Sequence, residues 1–157
     1  MAIAEDYNFE SLNIISGNLE VRLAENSLEI DAAQALRYKV FFEEMQAKPT
    51  DEQKYSKRDI DEFDHYFDHL LVVDHNKSGK MHDKVVGTYR LNGGNHKDKE
   101  SFFYTSGEYD LSKLIALDGN ILELGRSCVD LRYRNGKTMQ LLWAFICLLY
   151  TSDAADE

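Results

Sequence analysis

The sequence predicts an α/β fold, of the α+β kind, in which a mixed sheet carries helices on its faces. Three observations lead there. Apolar runs of strand length recur at residues 19–23, 69–74 and 85–91. A helical apolar repeat fills residues 27–45. Residues 121–146, ILELGRSCVDLRYRNGKTMQLLWAFI, then read as an apolar strand, a basic turn and an apolar helix. The order strand, helix, strand, strand, strand, helix suits one sheet with helices packed against it.

Each element has its own warrant. Residues 1–18 lack periodicity and read as a flexible N-terminal arm. Leu19 to Leu23 alternates as a strand does. Asn26 followed by Glu29 has the spacing of a capping box and opens a helix from about Ser27 to Met45. Ala32, Leu36 and Val40 form its apolar line, with Ala33 and Phe41 beside it. Arg37 lies on that second line, at the edge of the buried face or within it. Residues 46–60 are polar, hold the single proline, and read as a mobile loop. Phe63, Tyr66 and Phe67 make one apolar turn of a short helix. The strands at 69–74 and 85–91 are joined by a polar turn around Asn76, Ser78 and Gly79. Residues 92–100 form a charged loop. Phe102 to Tyr104 suit a short strand or an aromatic lid, and Leu111, Leu114 and Ile115 suggest one helical turn.

Composition excludes several function classes. Hydrophobic content of 43% and charged content of 29% are those of a soluble globular chain, and 157 residues allow one domain with a real core. A net charge of −10 argues against nucleic-acid binding. The first residues, MAIAEDYNFESLNIISGN, hold neither a basic residue nor an apolar core and do not form a signal peptide. The longest apolar run, Leu141 to Tyr150, is ten residues, short of the roughly 20 a membrane helix needs. The last eleven residues, CLLYTSDAADE, resemble the in-frame translation of a sequencing-library adapter. Residues 147–157 are therefore expected to be non-native, with the natural sequence ceasing to be readable near Ile146 and the C-terminal part of the domain missing. Cys128 is then the only native cysteine. It can form no internal disulfide, which points to a reducing, cytoplasmic compartment.

The chemistry concentrates in residues 121–146. A strand entering a helix through Arg132, Arg134, Gly136 and Lys137 presents free backbone N–H groups, a helix dipole and cations together, a ready site for an anion. Glu123 and Arg126 place two charges in a segment otherwise apolar enough to be buried. In a regular strand these two side chains point to opposite faces. Gly125 between them would allow a bulge that re-aims one of them. Glu123 could serve as a general base toward an amine, or form a structural ion pair with Arg126 or Arg90. Arg37, Asp61 and Asp64 could bind an amino-acid acceptor or form surface salt bridges. Asp59, Asp61, Asp64, His65, Asp68 and His69 contain metal-ligating types, but without a calcium-loop glycine or HExxH pattern a solvated acidic helix is the better expectation, and no metal is assigned. Cys128 is expected to be a small apolar strand residue rather than a nucleophile.

LRYKVFFEEM (36–45), DEFD with DHLLVVD (61–74), VVGTYRL (85–91) and LELGRSCVDLRYRNGKTMQLLW (122–143) together resemble the GNAT acyltransferase superfamily. The nearest branch acylates ornithine to give lyso-ornithine lipid. The acyl-homoserine-lactone synthases share its pattern of an Arg on the first helix, an acidic pair, an Arg on a central strand and a Glu near an Arg on the next. The resemblance covers residues 19–146 and implies a mixed, mostly antiparallel sheet. It implies transfer of a 3-hydroxy fatty acyl group from acyl carrier protein to the α-amine of ornithine. Glu123 and Arg126 would be catalytic. Arg37, Asp61, Asp64 and Arg90 would bind substrate. Arg132, Arg134, Gly136 and Lys137 would hold the phosphopantetheine arm and the carrier protein. Acetyl-CoA-using members carry R-x-x-G-x-G/A at this turn. Here Arg134 precedes Asn135, Gly136, Lys137, Thr138 and Met139, which points to a carrier-protein donor. No resident cofactor or metal is implied. A lipid product would bring the protein to the inner membrane face as a peripheral partner. The alternatives are an acyl-homoserine-lactone synthase acting on S-adenosylmethionine, or, outside catalysis, a non-catalytic fragment or a carrier-protein-binding module.

Overall fold

Apolar strands separated by short turns pair with their neighbours in sequence, and that rule builds the whole sheet. In the computed structural model, which describes residues 12–94, 103–117 and 120–153, five strands lie side by side in chain order. They are β1 (Ile14–Ser16), β2 (Leu19–Leu23), β3 (Asp68–Asp74), β4 (Val85–Gly94) and β5 (Ile121–Val129). Every pairing is antiparallel. β1 corrects the expectation of a flexible arm over 1–18. Ser16 pairs with Leu19 across the two-residue turn Gly17–Asn18, and Gly17 adopts φ +66° there, the conformation such hairpins demand. Residues 1–11 of that arm, residues 95–100 of the expected charged loop and Phe102 lie outside the described residues.

The helix on residues 27–45 forms as α1 (Ser27–Tyr38), extended by a π-helical turn over Lys39–Glu44. Asn26 caps it, its side chain accepting from Leu28 N and Glu29 N. Glu29 reaches past the expected partner to Glu25 N at 2.8 Å and to Arg22 at 2.6 Å. The expected loop at 46–60 holds a short helix, α2 (Asp51–Ser56), opened by a capping box between Thr50 and Gln53. Single turns follow at α3 (Met81–Lys84) and α4 (Ser112–Ile115). The long helix α5 (Lys137–Asp153) continues past Ile146, and Leu149 is buried beside Phe145 and Ile146. Among the described residues no helix is long and apolar enough to cross a membrane.

Alternation along the strands sorts the core into two layers. Val21, Leu70, Val72, Val86, Leu91 and Val129 pack against α5 through Leu142, Phe145 and Ile146. Leu71, Val73, Val85 and Cys128 pack on the other face against Ala32, Ala33, Leu36 and Val40 of α1. Gly87 is held small by this packing. A Cβ there would sit 2.8 Å from Thr138 Cγ2 and 3.2 Å from Val72 Cγ2. A third, small cluster buries Phe103 with Leu111 and Ile115, so Phe103 is a packing residue.

Candidate active site

His69 on β3, Arg90 on β4 and Gly125 on β5 are register partners and form one row across the sheet. His69 and Arg90 alternate with Leu70 and Leu91 of the α5 layer, so they point toward α1. Arg37 descends from α1 onto this row and is fully buried, as is Arg90. Charges so placed need partners, since desolvation would otherwise cost several kcal/mol each. The segment 59–64 supplies them. Arg37 Nη2 donates to both oxygens of Asp64, at 2.7 and 2.9 Å, and to the Asp59 carbonyl. Its Nε lies 3.0 Å from Asp59 Oδ2. Arg90 Nη1 donates to Asp61 Oδ1 at 2.6 Å and to Asp64 Oδ1 at 2.9 Å. Gln34 and Gln53 donate side-chain N–H hydrogen bonds to Asp64 and Asp59, respectively.

The DEFD motif turns its acids inward for a local reason. Asp61 caps a 3-10 turn over Glu62–His65, accepting from Phe63 N, while Asp64 Oδ2 accepts from Asp61 N. This reciprocal cap aims both carboxylates at the arginines. Burial alone would raise the Asp64 pKa, but Arg37, seconded by Arg90, overrides it and holds the group at about 2. The His69 pKa is also pushed down, by burial and then by Arg37. A neutral ring fits its contacts, with Nδ1 facing Arg37 Nη1 at 3.5 Å and Nε2 facing the Asp64 carbonyl at 3.3 Å. The expected solvated acidic helix at 59–69 is therefore corrected. Asp59, Asp64 and His69 are buried and partnered by guanidinium groups.

The bulge allowed by Gly125 is present, one residue further on. Arg90 pairs with Gly125 and Thr88 with Cys128, so Arg126 and Ser127 stand opposite Tyr89 alone. Arg126 itself takes φ +52°. The consequence shows in the packing. Leu122 and Leu124 face the α5 layer, yet Cys128, which a regular strand would put on that same face, lies in the α1 layer. The extra residue flips the alternation and brings Arg126 to the side that holds Glu123 and the acids. Arg126 Nε reaches Asp59 Oδ2 and Nη2 reaches Asp61 Oδ2, both at 3.2 Å. Its guanidinium stacks on Tyr104, 4.8 Å from the ring centroid, and Arg90 stacks on Phe67 at 4.9 Å.

The cluster thus balances Arg37, Arg90 and Arg126 against Asp59, Asp61 and Asp64. Only Arg126 and Asp61 reach solvent, with side chains 25% and 21% exposed. This places the residues expected to bind substrate. Arg37, Asp64 and Arg90 are internal supports, and Asp61 and Arg126 are the exposed ends they hold in place. Glu123 forms no ion pair with Arg90 or Arg126 among the described residues. Its carboxylate accepts from Tyr104 N at 3.1 Å, Thr105 N at 2.8 Å and Thr105 Oγ1 at 2.6 Å, and so fixes the ring that covers Arg126.

A groove of about 430 Å³ runs from this bulge to the start of α5, lined by Ser127, Cys128, Tyr133, Arg134, Gly136 and Met139, with Val40, Phe41 and Met45 across from them. The turn above it is braced. Asp130 accepts from Arg132 and Lys39 at 3.0 and 2.8 Å. Arg134 donates to the Val129 carbonyl and pairs with Glu44. Tyr133 donates to the buried Asp74, which also accepts from Asn18. Gly136 takes φ +88° to enter the helix. Of the basic residues expected here, Lys137 alone has no ion pair among the described residues.

The chain matches the acetyltransferase (GNAT) domain model over residues 36–144. It belongs to the GNAT family. The chain is 46% identical over 129 residues to an L-ornithine N(alpha)-acyltransferase of Agrobacterium fabrum, covering 81% of this chain and 44% of that protein. It is 45% identical over 128 residues to the enzyme of the same name from Rhizobium meliloti, covering 80% and 43%. The namesake in Brucella abortus gives 46% over 129 residues, covering 81% and 46%. The chain spans about half the length of the curated relatives it matches. No solved structure matches.

Within this GNAT domain Cys128 is the small apolar residue expected, buried in the α1 layer with its thiol pushed up to about 12 by burial. Among the described residues no group of acids, histidines and cysteines is arranged to hold a metal ion. Asp59 and Tyr104 are the members of the site that spacing alone did not single out. Asp59 was one acid among several, and Tyr104 one aromatic in an aromatic run. Only the fold shows that the first bridges Arg37 and Arg126 and the second covers Arg126.

Proposed function

We propose that the protein transfers a fatty acyl group from the phosphopantetheine thiol of acyl carrier protein to the α-amine of ornithine, giving an N-acyl amino acid. The observation that carries this reading is the bulge. It sets a partly exposed cation, Arg126, beside a partly exposed carboxylate, Asp61, where the groove from the α5 N-terminus ends. That arrangement suits a zwitterionic acceptor, whose carboxylate Arg126 takes and whose ammonium groups Asp61 takes. The supporting cluster has no spare charge, so the acceptor enters by parting the longest and most exposed of its ion pairs.

The donor enters along the groove. Lys137, the Gly136 turn and the first N–H groups of α5 receive its phosphate, and the acidic carrier protein docks on the same rim. The amine attacks the thioester carbon, a C–N bond forms, and the C–S bond breaks. Glu123 takes the amine proton, through the lone pair that Tyr104 and Thr105 leave open. The thiolate leaves and takes up the proton held by Glu123, which restores the carboxylate. A 3-hydroxylated chain and a lipid product imply peripheral contact with the inner membrane face.

The test is transfer of a 3-hydroxyacyl group from acyl carrier protein to ornithine, read as product mass. Product on S-adenosylmethionine instead, with a lactone, would replace this reading by that of an acyl-homoserine-lactone synthase. Glu123→Gln should lower kcat at least about a hundredfold if Glu123 is the base. Near-normal turnover would leave it as the cap of the Tyr104 turn only.

A further inference from the structure

Three departures from regular backbone surround one hollow. α1 ends in a π-helical turn over Lys39–Glu44, with Met45 N donating to the Val40 carbonyl and Ala47 N to the Phe41 carbonyl. Gln46 takes φ +59° and Arg126 takes φ +52°. π-turns and left-handed non-glycine residues are costly and collect at functional sites. Between them lies a hollow of about 330 Å³ lined by Phe41, Phe42, Met45, Ala47, Asp59 and Arg126. The walls are apolar and the charges stand at one end.

Phe41 and Met45 also line the groove that runs to the α5 N-terminus. The two spaces therefore share a wall and meet beside the bulge, where Arg126 lines one and Ser127 the other. A single linear ligand that spans both would have to pass the wall they share at Phe41 and Met45. Its polar arm would follow the groove, its thioester would sit at Arg126, and whatever follows the carbonyl would enter the hollow. An amino acid suits the hollow poorly. Asp59, its one acid, is already neutralised by Arg37 and Arg126 and offers an ammonium group little net attraction. An aliphatic chain needs only the apolar walls.

Resting on the acyl-transfer reading, we propose that this hollow takes the first carbons of the donor's acyl chain, and that Met45 and Ala47 set how much chain it accepts. Met45 is 69% exposed, so its thioether can close over a bound chain. Each methylene buried contributes about 0.8 kcal/mol, or about fourfold in affinity. Ala47 stands in the exposed segment after the π-turn, where a larger side chain costs the fold little and fills the hollow.

The experiment measures binding, so it does not depend on turnover. Acyl-phosphopantetheines from acetyl to dodecanoyl are titrated into the full chain and into Ala47→Phe and Met45→Ala. Wild type should tighten about fourfold per methylene over the first carbons and then level off. Ala47→Phe should level off earlier by two or more carbons, with affinity for unacylated phosphopantetheine changed less than twofold. Met45→Ala should flatten the dependence. A wild-type affinity independent of chain length overturns the inference, as does an Ala47→Phe profile identical to wild type. Weakened ornithine binding in Ala47→Phe with an unaltered chain profile also overturns it and gives the hollow to the acceptor. Absence of acyl transfer in the presence of a chain-length-dependent affinity would refute the reaction while supporting the hollow's role.

Discussion

Replacing Arg37 by alanine should damage folding first and activity only as a consequence. Its guanidinium neutralises Asp59 and Asp64, whose side chains are 3% and 4% exposed. Removing one partner of a buried ion pair costs roughly 3–5 kcal/mol, because the other charge stays buried. A domain of this size has about 5–15 kcal/mol in all. At about 2–4 °C per kcal/mol, the Tm should fall by roughly 6–20 °C. Acid sensitivity gives a second readout. The Asp64 pKa is depressed from 3.8 to about 2. A depressed acid contributes stability above its unfolded pKa and loses it as pH falls through the folded one, here about 2 kcal/mol between pH 4 and pH 2. Without Arg37, burial would dominate and push Asp64 up, so unfolding on acidification should begin at a higher pH. Thermal melts by circular dichroism at pH 7, with acid titrations at fixed temperature, measure both. Arg37→Lys keeps the charge but not the fork and should fall between the two. A Tm loss under about 2 °C in Arg37→Ala, with an unmoved acid limb, would refute the view of Arg37 as a support.

Tyr133→Phe removes a charge-assisted bond to Asp74 worth about 1.5–3 kcal/mol. Because Tyr133 lines the groove, phosphopantetheine binding should weaken several-fold in titration calorimetry, while an acyl thioester lacking the phosphate should be affected less. Lys137→Glu should weaken carrier-protein binding and reduce its salt dependence without lowering Tm by more than about 0.5 kcal/mol equivalent. The folded 157-residue chain should present one thiol to a disulfide reagent at pH 8. Cys147 is exposed, whereas Cys128 is buried with its pKa pushed up to about 12 and should react only on unfolding.

The strands and long helices were legible because their side-chain periods are set locally. Leu70 and Val72 against Leu71 and Val73 is a two-sided strand that alternation announces, and Asn26 marks the start of α1 unaided. Two local signals were present but outweighed. Thr50 and Gln53 have capping-box spacing, yet the polar composition and Pro49 made the segment read as loop. Gly17–Asn18 is a hairpin turn whose first flanking strand is only three residues long. The bulge was foreseen at Gly125, but glycine proved to be its neighbour and not its strained residue. The cluster itself was not derivable from spacing. Asp59 lies 67 positions from Arg126, and which of several acids it meets is decided by the cap on Asp61 and by the row His69–Arg90–Gly125.

Arg126 separates stability from function more sharply than any other residue of the site. Its φ of +52° carries the penalty of the left-handed region, about 1–2 kcal/mol. Its two ion pairs are long and partly solvated, each worth about 0–1 kcal/mol. The acids it touches keep other partners, Arg37 for Asp59 and Arg90 for Asp61. Arg126→Gly therefore gives back strain about equal to the contacts it loses, and its Tm should lie within about 3 °C of wild type. On the proposed acyl transfer, activity should not survive, because among the described residues Arg126 is the partly exposed cation at the bulge that would meet the acceptor's carboxylate and the carbonyl under attack. A loss of at least about a hundredfold in kcat/KM is expected. This is the pattern of a strained residue kept for its chemistry, opposite to that of Arg37, where stability goes first. A melt for Arg126→Gly as depressed as that of Arg37→Ala would show that the bulge is held by Arg126 and not imposed on it, and would move Arg126 into the supporting cluster.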